Sequence, residues 1–372
     1  MRTDNKIIDK KIQLPFKIKS PVFAFGAQTK NTVCFASGNS AYLSRVYNNL
    51  NDPNDFSLFK KTVKYFLKEN PKILALDLHP EYQSVKYALS MSDDSKSLVY
   101  VQHHHAHIAS CMAENGLKNI KVIGVAFDGT GLGLDNRIWG AEFLICDYKN
   151  LKRAAHLQEI PLIGGEKAIL EPWRLAAAWL DRAGLRFEPA VDKNKWPILK
   201  NICSKNINSP SASSMGRLFD AAACVILAKR FAHFEAELAI QLERVAKVGG
   251  EVSAYNFSIN KVGDGYIIDP VNIFKGIISD LKHKEKKEMI AFSFHLTVAE
   301  MIKKTCLKIR KDTGLRKVVL SGGVFQNKLL LRLALDLLYK EDFKVFTHKI
   351  LSSNDSGISL GQAVIAGGLA CV

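Results

Sequence analysis

Short apolar runs and helical spacings take turns along this chain. Residues 22–26 are an apolar run that ends in Gly26-Ala27-Gln28-Thr29-Lys30-Asn31, and runs at 32–36 and 41–46 follow at hairpin spacing, so three strands are predicted. Residues 56–67 predict a helix, and Ile73–Asp77 a strand stopped by His79-Pro80. Residues 98–101 predict a strand that enters Gln102-His103-His104-His105-Ala106-His107 and a helix to about Glu114. The hairpin logic then repeats: a strand at 122–127, a glycine-rich turn Asp128-Gly129-Thr130-Gly131-Leu132-Gly133, and a returning strand Ile138–Cys146. Pro172 suits the first turn of a helix to Arg182, with Gly184 as its stop. Apolar positions 215, 218, 219, 222, 225 and 226 mark one face of a helix over 213–229. Further helices are expected at 235–248 and 291–313. A strand at 317–320 enters Ser321-Gly322-Gly323-Val324-Phe325-Gln326-Asn327 and a helix, and a last strand (344–347) precedes a small-residue helix at 357–369.

Two copies of strand, polar turn and strand, each followed by alternating strands and helices, predict an α/β protein with an internal duplication. That is the arrangement of the actin-like (ribonuclease H-like) ATPases, with two lobes and a ligand cleft between them. The expected division is an N-terminal extension (1–20), a first lobe with the histidine helix (21–120), a second lobe with a helical insertion (121–350), and a C-terminal loop and helix returning to the first lobe (351–372).

Composition narrows the class. A length of 372 residues suggests two domains, and 47% hydrophobic with 24% charged residues argues against a disordered or fibrous chain. No apolar run reaches the roughly 18 residues of a membrane span, and the charged N-terminus does not read as a secretory signal. The seven cysteines are scattered without a CxxC pair, which points away from zinc ribbons and disulfides and towards a reducing cytoplasm. The net charge of +16 comes mostly from dispersed lysine, with one dense patch at 282–287, so nucleic acid is not the expected partner.

The histidine cluster is the sharpest chemical signal. His103 and His107 share a helical face at i and i+4, and His104 and His107 could share one at i and i+3; spacing alone does not choose. Two imidazoles on one face can bind a transition metal with a carboxylate from elsewhere; the plain alternative is a polar helix cap. Asp128, before three glycines, can orient a cation or nucleophile, or simply bond its own turn. Lys30 can meet an anionic oxygen, or be a solvated turn residue. Gly216 and Asp220 would permit ligand approach and bond a ribose diol, unless they are a cap and a surface acid. Asp355 opens the last helix, where a plain N-cap is the simplest reading.

VQHHHAHIAS, FDGTGLGLDNRIWGAEF, EPWR, SSMGRLFDA, LSGGVFQN and NDSGISLGQA, in this order, resemble the C-terminal carbamoyltransferase domain of the HypF hydrogenase-maturation family. The resemblance runs from about Pro21 to the C-terminus. It implies a metal, iron or zinc, on His103, His107 and Asp355. It places the nucleoside turn at Ser321–Asn327, with Ser321, Gly322, Gly323 and Asn327 as contacts, and the ribose positions at Gly216 and Asp220. Lys30 and Asn31, with Asp128, Gly129, Thr130 and Gly131, would face the phosphate and carbamoyl end, Lys30 and Asp128 as catalytic groups. ATP and carbamoyl phosphate give carbamoyl-adenylate in this family, and the carbamoyl group passes to the C-terminal cysteine thiolate of HypE. No cysteine of this chain falls in a matched motif, so the nucleophile is expected from the partner. The family's acylphosphatase, zinc-finger and adenylate-forming domains have no counterpart here, which implies a separate adenylate-forming protein. Two other classes are a tRNA threonylcarbamoyladenosine-type or small-molecule O-carbamoyltransferase and a non-catalytic partner-binding subunit; Phe325-Gln326 and Glu171-Pro172-Trp173-Arg174 favour HypF over the tRNA enzyme.

Overall fold

Both halves are built on one plan. In the computed structural model, which describes residues 7–187, 189–247 and 252–369, the first sheet has the strand order Cys34–Ser44, Ile8–Ala24, Ile73–Asp77, Ser97–Val101. Its first two strands form an antiparallel hairpin, and the next two run parallel beside it. The second sheet repeats the plan. Val122–Leu132 and Ile138–Cys146 form the hairpin and Leu151–Leu157 adds an antiparallel strand, while Lys317–Ser321 and Lys344–Phe346 lie parallel on the other side. This is the duplicated actin-like architecture.

The strands differ from the local pattern in three places. The first begins at Ile8, within the segment expected to be an extension; Ile12, Leu14 and Ile18 point inward while Lys11, Gln13, Lys17 and Lys19 point out. Alternating lysines break up the apolar run, as a half-buried antiparallel strand requires. The two strands expected at 32–36 and 41–46 are one, Cys34–Ser44, because the pairing absorbs irregularities near Gly38 instead of ending there. The glycine-rich segment after Asp128 is not the turn. Phe127 pairs with Ala141 and Gly131 with Trp139, so residues 128–130 bulge out of a continuing strand, and the chain reverses at 133–137.

The expected helices are present with shifted ends: Trp173–Arg182, Met215–Leu227, Glu237–Val245 and Lys287–Thr313. The 213–229 helix starts late because Ser211–Ser214 pairs as a short strand with Ile138–Cys146, and Ser214 then caps the helix. The first six residues, Val248 and Cys371 lie outside the described residues.

The helix that follows the last strand of each sheet packs against its counterpart. These are His103–Glu114 and Ile358–Leu369, and a Cβ at Gly361 would stand 1.9 Å from the Ala106 carbonyl oxygen. Gln362 exchanges hydrogen bonds with the Gly26 backbone, tying the C-terminal helix to the first sheet. One apolar core fills the second lobe around Phe127, Phe143, Trp173, Trp179 and Phe219, another lies in the first lobe around Phe23, Phe59 and Phe66, and a third surrounds the two crossing helices. The histidine helix is thereby buried from His103 to Ala113. Buried imidazoles need partners, and the partners reveal the site.

Candidate metal and nucleotide site

The four histidines go to different fates. Gln102 caps the helix, its Oε1 accepting from the His105 amide at 2.8 Å. His105 Nε2 donates to the Asp147 carbonyl at 2.6 Å, a structural bond. His104 Nδ1 meets the Gln102 amide at 3.0 Å, and its ring lies near Trp139; burial and the neighbouring His103 hold its pKa well below the usual histidine value. His103 and His107 face the carboxylates of Asp128 and Asp355. His103 Nε2 is 3.4 Å from Asp128 Oδ2 and 3.8 Å from Asp355 Oδ1; His107 Nε2 is 3.1 Å and 3.6 Å from the same oxygens. Ligand atoms from these four residues all lie within 4.8 Å of one another. The structure thus unites Asp355 with the 103/107 pair, and adds Asp128, which the sequence reading set at the phosphate end.

Asp77 is the residue that the sequence reading missed. It is fully buried and accepts the His103 Nδ1 proton at 2.8 Å. Its position follows from strand register: Asp77 stands opposite Val101 on the neighbouring parallel strand, two residues before His103. A carboxylate holding one ring nitrogen fixes the tautomer and leaves the other for a metal. His103 Nε2 is indeed buried with no hydrogen-bond partner among the described residues.

Burial and charge pull in opposite directions inside the cluster. Burial pushes His103 and His107 downward, but the Asp77 charge and the nearby carboxylates of Asp128 and Asp355 raise His103 well above the ordinary value, and Asp128 raises His107. Burial would lift Asp128, yet the two histidines hold it well below the usual carboxylate range. Asp355, pushed up by burial and by the charge of Asp128, is also held low by the histidines. Two carboxylates this close need a cation, and an unpartnered imidazole nitrogen among them is a ligand-ready atom. A set of two nitrogens and two oxygens suits zinc or iron.

Asp128 joins this cluster to the nucleoside turn. Its Oδ1 accepts the amides of Gly129 at 2.8 Å and Gly323 at 3.2 Å, while its Oδ2 faces the histidines. Gly322 adopts φ +105°, and a Cβ there would stand 2.2 Å from the Phe127 carbonyl oxygen, so only glycine lets turn and strand touch. A Cβ on Gly216 would lie 3.0 Å from Gly129 Cα. Gly129, Gly216 and Gly323 are therefore gathered beside Asp128, Thr130 is half-buried in the bulge, and Gly131 rests on the rings of His103 and His104.

The polar side chains expected at the nucleotide are mostly engaged within the protein. Ser321 is buried and its hydroxyl donates to His348 Nε2 at 2.8 Å. Asn327 caps helix Lys328–Lys340 and donates to His295 Nε2 at 2.9 Å. Asp220 is buried, 2.7 Å from Arg217, whose guanidinium also reaches Glu235 at 3.4 Å; burial pushes Asp220 up to about 6 against the opposing pull of Arg217. It is neither a surface acid nor open to solvent. Asn31 is buried and holds the Phe25 and Ala27 carbonyls, with its Oδ1 unpartnered among the described residues. Lys30 is exposed at φ 45°, on a short strand beside the Asp355 turn. A cavity of about 660 Å³ opens elsewhere, lined by residues such as Tyr255, Asn272, Lys275 and Asp280 and by none of the four cluster residues.

The family described as "Carbamoyltransferase, Kae1-like Domain, second subdomain" matches residues 124–362, and "HypF Kae1-like domain" matches residues 17–114. The chain belongs to the HypF carbamoyltransferase family. It is 32% identical to carbamoyltransferase HypF of Rhodobacter capsulatus over 94% of this chain and 47% of the relative. A carbamoyltransferase HypF homolog of Cupriavidus necator is 33% identical over 93% of this chain and 91% of its own length. The crystal structure of full-length HypF in its phosphate- and nucleotide-bound form superposes with a TM-score of 0.92 at 38% identity, covering 98% of this chain and 57% of that one. The chain spans about half the length of most of the curated HypF relatives it matches. Among the described residues no helix is long and apolar enough to cross a membrane.

Proposed function

We propose that this chain transfers a carbamoyl group from carbamoyl-adenylate to the C-terminal cysteine thiolate of HypE, the step that precedes cyanide-ligand synthesis for [NiFe] hydrogenase. The observation that carries this reading is the convergence of His103, His107, Asp128 and Asp355 beside a glycine-lined backbone surface. The partner's thiolate attacks the carbamoyl carbon, the bond from that carbon to the adenylate phosphate oxygen breaks, and AMP leaves with the electron pair; a thiocarbamate results. His103, His107, Asp355 and Asp128 would hold one transition metal, iron or zinc, which supplies Lewis-acid polarisation and charge neutralisation when bound. Asp77 keeps His103 in the ligating tautomer. The backbone of Gly322, Gly323, Gly129 and Gly216 would receive the adenylate, with amide groups for its oxygens, while the buried Asp220–Arg217 pair holds the helix beneath it. Lys30 would meet the phosphate from the rim. The six described cysteines are free, which supports a reducing, cytoplasmic setting.

Carbamoyl-adenylate would come from an adenylate-forming domain, with ATP and carbamoyl phosphate as its substrates. The test is to mix this chain with ATP, carbamoyl phosphate and HypE, with and without an added adenylate-forming domain, and to weigh the HypE C-terminal peptide. The expected result is one carbamoyl group on its cysteine only when the added domain is present, with AMP binding by this chain alone. Robust carbamoyl phosphate-dependent pyrophosphate release by the chain alone would refute the division of labour. Carbamoylation of a small-molecule hydroxyl, or threonylcarbamoylation of tRNA, in place of HypE would refute the acceptor.

A further inference from the structure

A chain of hydrogen bonds outside the ligand set links the far end of the histidine helix to the loop that carries Asp355. Glu114 is the last residue of that helix, and its side chain is 0% exposed. A carboxylate at the negative end of a helix dipole and out of water is doubly unfavourable unless donors surround it. Four do. The amides of Lys349, Ile350 (3.3 Å) and Leu351 (3.1 Å) donate to it, and so does His348 Nδ1 at 3.1 Å. His348 Nε2 then accepts from the Ser321 hydroxyl, and Asn115, the next residue after Glu114, donates to the Thr347 carbonyl at 3.0 Å. Further along the same loop the Gly322 amide donates to the Ser353 carbonyl at 2.9 Å, two residues before Asp355.

The order acid, imidazole, hydroxyl is that of a nucleophilic triad, but Ser321 is 0% exposed, so no substrate reaches its oxygen. The chain of bonds acts as a brace. Residues 347–354 form neither helix nor strand, and a ligand on such a segment must be ordered before it can bind, at an entropic cost. We propose that Glu114, acting through His348, is a positioning residue for Asp355. It anchors the Asp355 loop to the helix that carries His103 and His107, so that one rigid element sets the relative placement of all three. This inference rests on the metal reading above.

Cobalt(II) titration tests it, because the visible absorption of bound cobalt reports its ligand number and geometry. The proteins compared are wild type, Asp355→Ala, Glu114→Gln, His348→Leu and His348→Gln. Glu114→Gln and His348→Leu should bind cobalt about tenfold more weakly, the range of outer-shell substitutions, and shift the spectrum towards that of Asp355→Ala. His348→Gln, which can donate to Glu114 and accept from Ser321, should restore the wild-type spectrum. His348→Leu cuts the brace independently if Glu114→Gln fails to fold. Wild-type affinity and spectrum in His348→Leu, or lowered stability with an unchanged spectrum, would overturn the proposal. No cobalt uptake by wild type would overturn the metal reading itself, whereas uptake by wild type with no effect in the brace variants would overturn the brace alone.

Discussion

The two ends of the proposed site, one for a metal and one for a nucleotide, are built on opposite principles. At the metal end, four side chains from three separate stretches of sequence aim ligand atoms at one small volume, and His103 Nε2 there has no hydrogen-bond partner among the described residues. At the nucleotide end, Ser321, Asn327 and Asp220 are already bonded to His348, His295 and Arg217, and glycine backbone is what gathers beside Asp128. A metal needs lone pairs converging from several directions, so side chains must be left unsatisfied until it arrives. A nucleotide can be received by backbone amides, so neighbouring polar side chains are free to hold the backbone in place. Substitutions at the first end should therefore act on binding, and at the second on the fold.

The largest expected effect is at the metal end. His103→Ala, His107→Ala and Asp355→Ala should each abolish bound metal, with one equivalent per chain in wild type, while His104→Ala and His105→Ala keep it; elemental analysis of the purified variants reads this directly. Asp77→Asn should retain metal but bind it about 10- to 100-fold more weakly. Full metal content in His107→Ala would remove the contrast altogether.

The next effect sharpens the comparison from the other side. Asp220→Ala leaves the Arg217 guanidinium buried with only Glu235 nearby, at 3.4 Å. Breaking a buried pair costs about 4 kcal/mol, so urea unfolding should show a large loss of stability. AMP affinity of the folded variant, measured by calorimetry, should change less than its stability does, because Asp220 is closed off against Arg217. Asp355→Ala, at a partly exposed position, should leave stability nearly unchanged. Equal stability in the two variants would erase the distinction.

The smallest effect is pH-dependent and belongs to the nucleotide end. Burial pushes His295 down from 6.5 to about 4, and it is held neutral, Nδ1 donating to the Ala291 carbonyl and Nε2 accepting from Asn327. Between pH 6.5 and about 4 the unfolded chain binds a proton that the folded chain refuses. The stability contributed by this group is thus fully present above pH 6.5 and lost as pH falls through that window, by about 3 kcal/mol in total. Urea midpoints at pH 7 and pH 5 should converge in His295→Gln relative to wild type.

Legibility in the sequence followed the same divide between local and distant. The i, i+4 relation of His103 and His107 was readable because a helix of 3.6 residues per turn sets it without help from the rest of the chain. The strand at Ile73–Asp77 and the return strand Ile138–Cys146 were readable to the residue, since buried apolar runs bounded by turns are local features. The bulge at residues 128–130 was not: glycines beside an aspartate read the same in a turn and in a bulged strand, and only pairing with Ile138–Cys146 tells them apart. Asp77 gave no local signal beyond an acid at the end of a buried strand. Its contact with His103 arises from the register of two strands about twenty residues apart in sequence.

From the order of apolar patterns came the duplicated α/β plan, from helical spacing two candidate histidine pairs, and from the family resemblance the choice of His103 and His107 with the distant Asp355. Only the tertiary structure brought Asp128 beside His103, His107 and Asp355, set Asp77 on the His103 ring, and turned Ser321 and Asp220 inward. The reason is geometric: periodicity fixes a side chain's direction relative to its own helix or strand. What lies in that direction depends on strand register and on how helices from opposite ends of the chain cross.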